Sequence, residues 1–320
     1  MVARRALLAG LLAAPLPAWA KERLYRIGWL VFGGTKLGAI NQTLLSTLRL
    51  QGRGEGRNLE VIFRHANGMP ERLDELAREL VALKPDLLIG IGGDLVKALF
   101  DASGGRIPIV GGVSEDPVRG EFVASLARPG KNFTGVTFIT DELAPKRLEF
   151  LIQAAPGTKR IAAIWNPQHA DNEIAFVRRT AQVLGLTLTS HEVYKRSDID
   201  AALRDATARG ADSIFVIPSR LTSIAAAQIA RYGREHRLPV VTAWREFVDA
   251  GCLLSYGPNR ESQVQRIAEY AGKVMRGAKP EDLPVERPTK FQLAVNLQTA
   301  KTIGLTLPAL LLARADHVIE

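Results

Sequence analysis

The chain has 320 residues, 47% hydrophobic and 23% charged, with a formal net charge of +9. That is more apolar material than one core usually holds, so two lobes are expected. The basic residues are scattered among acids, with no polybasic block and no aromatic-interleaved basic stripe, which excludes the usual footprint of nucleic-acid binding and predicts a solvated basic surface.

The chain opens with a basic pair, Arg4 and Arg5, followed by an uncharged Ala, Leu and Gly run over residues 6–14. Ala18-Trp19-Ala20 then supplies small residues at the two positions a signal peptidase reads, so residues 1–20 are expected to be a cleaved export leader. The apolar run is about half the length a membrane-spanning helix needs. Pro15 and Pro17 break it before the cut, which argues against a retained anchor. The arginine pair hints at twin-arginine export, but nothing else of that signal follows and the general route fits better. No cysteine stands at the cut to carry a lipid, so the mature chain is expected free in the periplasm. Cys252 is the only cysteine, which rules out an internal disulfide and suits a small buried apolar residue beside Leu253 and Leu254.

After the leader, short apolar runs alternate with amphipathic stretches, the pattern of parallel strands joined by helical crossovers. Strands are predicted over 24–31, 59–64, 87–91 and 107–111, with helices over 37–51, 71–83 and 95–102. Residues 122–138, rich in Gly, Pro and Thr, suit a chain leaving one lobe for another. A helix over 142–154 follows, and the rhythm restarts with strands over 161–165, 186–193, 213–217, 240–243 and 253–256 and helices over 172–184, 198–208 and 224–235. The expected class is α/β: two doubly wound parallel sheets, each covered on both faces by helices.

Right-handed crossovers bring the carboxyl ends of parallel strands to one sheet edge, where ligands of open α/β sheets bind. The residues after the predicted strands are glycines, hydroxyls, amides, acids and aromatics: Phe32-Gly33-Gly34-Thr35, Gly92-Gly93-Asp94, Gly112 to Asp116, Asn166-Pro167-Gln168, Pro218-Ser219-Arg220, Trp244-Arg245 and Tyr256-Gly257. Candidate ligand-binding residues are therefore Gly34, Thr35, Gly93, Asp94, Ser114, Asp116, Asn166, Ser219, Trp244 and Tyr256. Each loop has an ordinary explanation as a turn or helix cap, so the inference rests on their convergence. Helix amino-termini expected at Leu37, Leu95 and Asn172 would favour an anionic ligand group.

Enzyme templates fit poorly. Gly90 to Leu95 begins like a dinucleotide fingerprint, but Leu95 stands where the third glycine belongs. Gly112-Val113-Ser114-Glu115-Asp116 lacks the closing glycine of a nucleophile elbow, and no histidine is placed for a triad. His169, Asp171 and Glu173 alternate near a strand end, which a solvated helix start explains better than a metal. No Walker-type phosphate loop is present, so the chain would not itself hydrolyse ATP, and no cofactor or metal is expected.

A further set of segments carries a resemblance. Glu55 to Asn58, Val123 to Asn132 with Thr134-Gly135, Lys146 to Glu149, Trp165-Asn166-Pro167, Arg245 to Val248 and Ser255-Tyr256-Gly257 resemble the ABC-transporter substrate-binding family whose better-known members bind aromatic amino acids. Gly277 to Pro280, Leu283 to Glu286, Pro288 to Phe291 and Ala313 to Asp316 are similar to the same family. The resemblance implies a type I periplasmic binding-protein fold with its ligand in the interlobe cleft, its lobes 21–137 with 257–279 and 138–256 with 280–320 joined by a three-segment hinge. It also implies delivery of a small solute, an amino acid or related carboxylate, to an ABC permease driven by a separate ATPase, a shuttle's task that a monomer would serve. Gly92-Gly93-Asp94 stands where many relatives show Gly-Thr-Pro, and Glu115-Asp116-Pro117 where they show Gly-Asp-Pro. The carboxylate of Asp94 would favour a ligand bearing an amine or hydroxyls, unless Asp94 caps its helix. Asp116 is the expected acid for a ligand ammonium, with Trp244, Tyr256 or Phe32 over an apolar face. Two alternatives share these residues: a receptor presenting its ligand to a sensor, and an exported serine hydrolase using Ser114.

Overall fold

The computed structural model describes residues 23–35, 38–169 and 172–320, so the expected leader and the predicted helix start at Leu37 lie outside the described residues. In the first lobe, β1 (Tyr25–Val31), β2 (Leu59–His65), β3 (Leu87–Ile91), β4 (Ile109–Val113) and β5 (Phe133–Thr137) alternate with α1 (Ala39–Leu50), α2 (Leu73–Ala82) and α3 (Gly93–Ser103). The strands form a wholly parallel sheet in the order β2-β1-β3-β4-β5. β4, IVGGV, is buried along its length because helices cover both faces, which is why it reads as an unbroken apolar run. The helix α2 buries Leu73, Leu76, Ala77 and Leu80, the i, i+3, i+4, i+7 stripe of a surface helix, and carries Asp74 and Glu75 in its first turn, where acids complement the dipole.

The second lobe begins with α4 (Ala144–Ala154) and β6 (Arg160–Trp165), then α5 (Glu173–Val183), β7 (Thr187–Glu192), α6 (Asp198–Ala208) and β8 (Ser213–Val216). It continues through α7 (Arg220–Ile224), α8 (Ala226–Glu235), β9 (Val240–Thr242), α9 (Arg245–Asp249) and β10 (Leu254–Pro258). The chain then returns to the first lobe as α10 (Arg260–Met275), which packs on α1 and on β4 and β5. It ends in the second lobe with β11 (Phe291–Asn296), α11 (Leu297–Thr302), α12 (Ala309–Leu312) and β12 (His317–Ile319). The second sheet runs β12-β11-β10-β9-β8-β6-β7. It is parallel except where β11 meets β10, because β11 enters from the hinge in the opposite sense.

Two departures from the sequence reading have local causes. Residues 133–137, read as part of the passage between lobes, form β5, a fully buried strand whose FTGVT composition lacks the aliphatic run that marks β3 and β4. The last crossing between lobes comes later than the expected 279/280. Residues 280–286 stay on the first lobe: Val285 donates to the Leu126 carbonyl at 2.8 Å, Glu286 donates to Gly135 at 2.9 Å, and Thr137 donates to Glu286 at 2.9 Å. Thr134 caps the arrangement by donating its hydroxyl to Leu283 at 2.7 Å. The segment thereby shields the exposed edge of β5, a need set by the sheet and invisible in the segment's own sequence.

Gly90, Gly111 and Gly135 stand opposite one another on β3, β4 and β5. A Cβ on Gly111 would lie 2.1 Å from the Gly90 carbonyl oxygen, and one on Gly135, at φ +138°, 2.0 Å from that of Gly111. Both obstacles are backbone and cannot step aside. Gly135→Ala is therefore expected to cost at least about 2 kcal/mol, whereas Gly157→Ala, with open space at its Cβ, should stay within about 0.5 kcal/mol of wild type. Denaturant unfolding of the two variants decides this; equal stabilities would contradict it.

On β7, the buried His191 ring sits with Nε2 2.8 Å from the Thr189 hydroxyl and Nδ1 3.1 Å from the Asp205 carboxylate. Burial holds this imidazole below its ordinary value, against the opposing pull of Asp205. The folded chain thus favours neutral His191, while the unfolded chain protonates it near pH 6.5. Stability present above that pH is lost as the solution is acidified toward the depressed folded value. A plot of Tm against pH from 7 to 5 should be shallower for His191→Gln than for wild type, and parallel plots would count against this assignment.

Candidate ligand-binding cleft

Between the lobes lies a cleft of about 720 Å³, formed where the carboxyl ends of β1, β2 and β3 face those of β6, β7 and β8. The first lobe contributes Phe32 after β1, Gly68, Met69, Pro70, Glu71 and Leu73 after β2, and Asp94 after β3. The second contributes Asn166, Gln168 and His169 after β6, Tyr194, Lys195 and Arg196 after β7, and Ser219, Arg220, Leu221 and Ile224 after β8. The strand order selects these elements. In each sheet the strands named sit side by side at one end, while β4, β5, β9 and β10 lie toward the hinge.

Of the residues singled out in the sequence, the cleft gathers Asp94, Asn166 and Ser219. Asn166 opens an Asx turn, accepting the Gln168 amide at 2.9 Å. Ser219 begins α7 with a reciprocal capping box: its hydroxyl accepts from the Thr222 amide and its own amide donates to the Thr222 hydroxyl at 2.8 Å. That box sets the backbone at the start of α7, from which Arg220 extends.

Arg220 was legible only as part of a polar loop, yet it dominates the cleft. Its guanidinium crosses from the second lobe to the first, lies 4.5 Å above the centre of the Phe32 ring and pairs through Nη2 with the Asp94 carboxylate. The side chains of Arg220 and Asp94 are 22% and 34% exposed, so the pair is largely removed from solvent. A Cβ on Gly92 would stand 2.6 Å from Nη1, and Gly92 holds φ +133°, so the absence of a side chain there makes room for the guanidinium. Burial pushes the Arg220 guanidinium down to about 10, which still leaves it protonated at neutral pH. Nε and Nη1 are buried without a hydrogen-bond partner. Asp94 also accepts the Leu95 amide at 2.8 Å in the first turn of α3. The sequence reading set a ligand-facing carboxylate against a helix-capping one; the structure shows an anion held by both its helix and an arginine from the other lobe.

The remaining candidates lie elsewhere. Gly34 and Thr35 are exposed, and Gly93 is buried where a Cβ would meet the Glu115 carboxylate at 2.4 Å. Ser114 and Asp116 follow β4 and do not line the cleft. Asp116 is turned into its own loop, accepting the Val118 amide at 2.9 Å and pairing with Arg119 at 3.5 Å. Trp244 precedes α9 on the hinge side, packed edge-on against Phe138 with ring centres 5.6 Å apart and beneath Arg260 at 4.9 Å. Tyr256, in β10, packs on Phe150 of α4 at 5.0 Å, within the second lobe's core. Trp244 follows β9 and Tyr256 lies within β10, strands whose place in the sheet puts them beside the hinge. Cys252 is fully buried, and burial pushes its thiol up to about 12, as suits a small core residue.

Residues 31–319 match the family model described as ABC transporter substrate binding protein. The tyrosine-binding protein of Clostridioides difficile strain R20291 is 23% identical over 264 residues, which cover 82% of this chain and 75% of that protein. Among solved structures, a conserved domain protein from Vibrio cholerae is 27% identical with a TM-score of 0.86, across 92% of this chain and 100% of its own. An ABC domain from Streptococcus pneumonia, solved in complex with L-Trp, is 22% identical with a TM-score of 0.83 over the same shares. The architecture is the type I periplasmic binding-protein fold. With a family match spanning both lobes and the hinge, the chain belongs to the ABC transporter substrate binding protein family.

Proposed function

We propose that this chain is the solute-capturing component of an ABC importer. It closes its two lobes on an amino acid or related carboxylate and delivers it to a membrane permease powered by a separate ATPase. The observation that carries this reading is the cleft itself, in which loops from both lobes surround a charged centre with apolar walls. A ligand touching both lobes stabilises the closed arrangement relative to the open one, and a permease can read that difference. The names of two similar proteins, one tyrosine-binding and one solved with L-Trp, support an amino acid as the solute class. Phe32, Met69, Leu73, Leu221 and Ile224 offer it an apolar surface.

Export to the periplasm fits this role, and the leader-like segment over residues 1–20 supports it. No helix among the described residues is long and apolar enough to cross a membrane. A monomer suffices for the task, since a single chain supplies both walls of the cleft.

Two measurements test the reading. Mass spectrometry of compounds released by denaturing the natively purified protein should find one small solute, and calorimetry of the stripped protein should return it at one site per chain. Ile224 is 42% exposed on the cleft wall, so Ile224→Trp is expected to crowd that wall and weaken binding at least several-fold without lowering the Tm of the ligand-free protein. Wild-type affinity in that variant would place the solute elsewhere.

A further inference from the structure

The charge on Arg220 is only partly answered by this chain. Asp94 takes Nη2, the Phe32 ring lies beneath the guanidinium plane, and Gly92 lets Nη1 approach backbone. Nε and Nη1 remain buried without an acceptor, although a desolvated charged donor normally has one. The cleft wall is apolar at Met69, Leu73 and Ile224. At its rim Lys195 and Arg196 outnumber Glu71, so the lining is net positive even with Asp94 and Arg220 cancelling.

We propose that Arg220 is the specificity determinant of the cleft: one of its unsatisfied donors takes a carboxylate oxygen of an amphipathic organic acid whose apolar body lies along Met69, Leu73 and Ile224. This rests on the solute-capture reading above and sharpens it, because the solute is then chosen by its anionic group rather than by its amine. Asp94 holds the guanidinium in place from the opposite lobe, so the anion completes a contact that spans the cleft. A carboxylate suits the site because its oxygen gives a charge-assisted acceptor to a guanidinium whose Nη2 is already engaged by Asp94. Lysine would not substitute fully, since an ammonium presents no planar set of donors and is more strongly hydrated. The ring of Phe32 beneath the guanidinium would also favour arginine over lysine.

The test uses the full chain, stripped of solute, with matched compounds that differ in the carboxylate: L-tyrosine against tyramine, L-tryptophan against tryptamine, L-leucine against 3-methylbutylamine, and the compound released from the native protein against its carboxamide. Calorimetry should find binding confined to the acids. Arg220→Gln should weaken the best acid about 10- to 100-fold, with Arg220→Lys between it and wild type. Asp94→Asn, which frees Arg220 without removing it, should keep the preference for acids, and it stands as the test if Arg220→Gln does not fold. Equal binding of an acid and its uncharged or amine partner, or release of a solute with no anionic group, overturns the assignment of Arg220 and leaves solute capture standing. Absence of any released compound together with absence of binding across the panel overturns solute capture itself.

Discussion

Right-handed crossovers oblige the parallel strands of each lobe to end at one edge, and every functional feature of this molecule follows from that handedness. Two such edges face each other, so loops far apart in sequence become neighbours across a gap. Within each edge, strand order does the remaining selection. β2-β1-β3 faces β8-β6-β7 across the cleft, while β4, β5, β9 and β10 are given over to the hinge. Small residues keep the hinge side tight. Gly112 leaves room for the Phe138 ring, which a Cβ would meet at 2.6 Å, and Phe138 in turn packs on Trp244.

Against that apolar hinge, the cleft is joined by a charged contact. A bridge of Arg220 and Asp94 is sensitive to what else enters the site, because desolvated charges are costly unless their donors and acceptors are matched. An apolar contact of similar area would hold the lobes together with little regard for the solute's chemistry. The division suits a protein that must keep its halves in register and respond selectively to what lies between them.

Much of the fold was legible because parallel strands announce themselves. Uninterrupted runs such as LLIGI in β3 and SIFV in β8 can only be buried on both faces, and the amphipathic stripe of α2 follows directly from its spacing. β5 escaped notice because glycine and threonine replace the aliphatic run, and the late crossing after residue 286 depends on the edge of β5, which no local pattern encodes. For the site, the rule that strand ends carry function pointed to Asp94, Asn166 and Ser219. It could not say which strands lie beside the hinge, so Trp244 and Tyr256 were grouped with residues from which sheet order separates them. Arg220 illustrates the converse: its neighbour Ser219 drew attention as a small polar residue, while the Asp94 and Phe32 contacts that hold the guanidinium are a three-dimensional fact.

The central claim is that the lobes move together around a captured solute. Small-angle X-ray scattering of the stripped protein, before and after the co-purified solute is restored, tests it most directly. The account predicts a smaller radius of gyration with solute bound, as the gap between the sheet edges closes. An unchanged radius of gyration at saturating solute, with binding confirmed in the same sample, would contradict it.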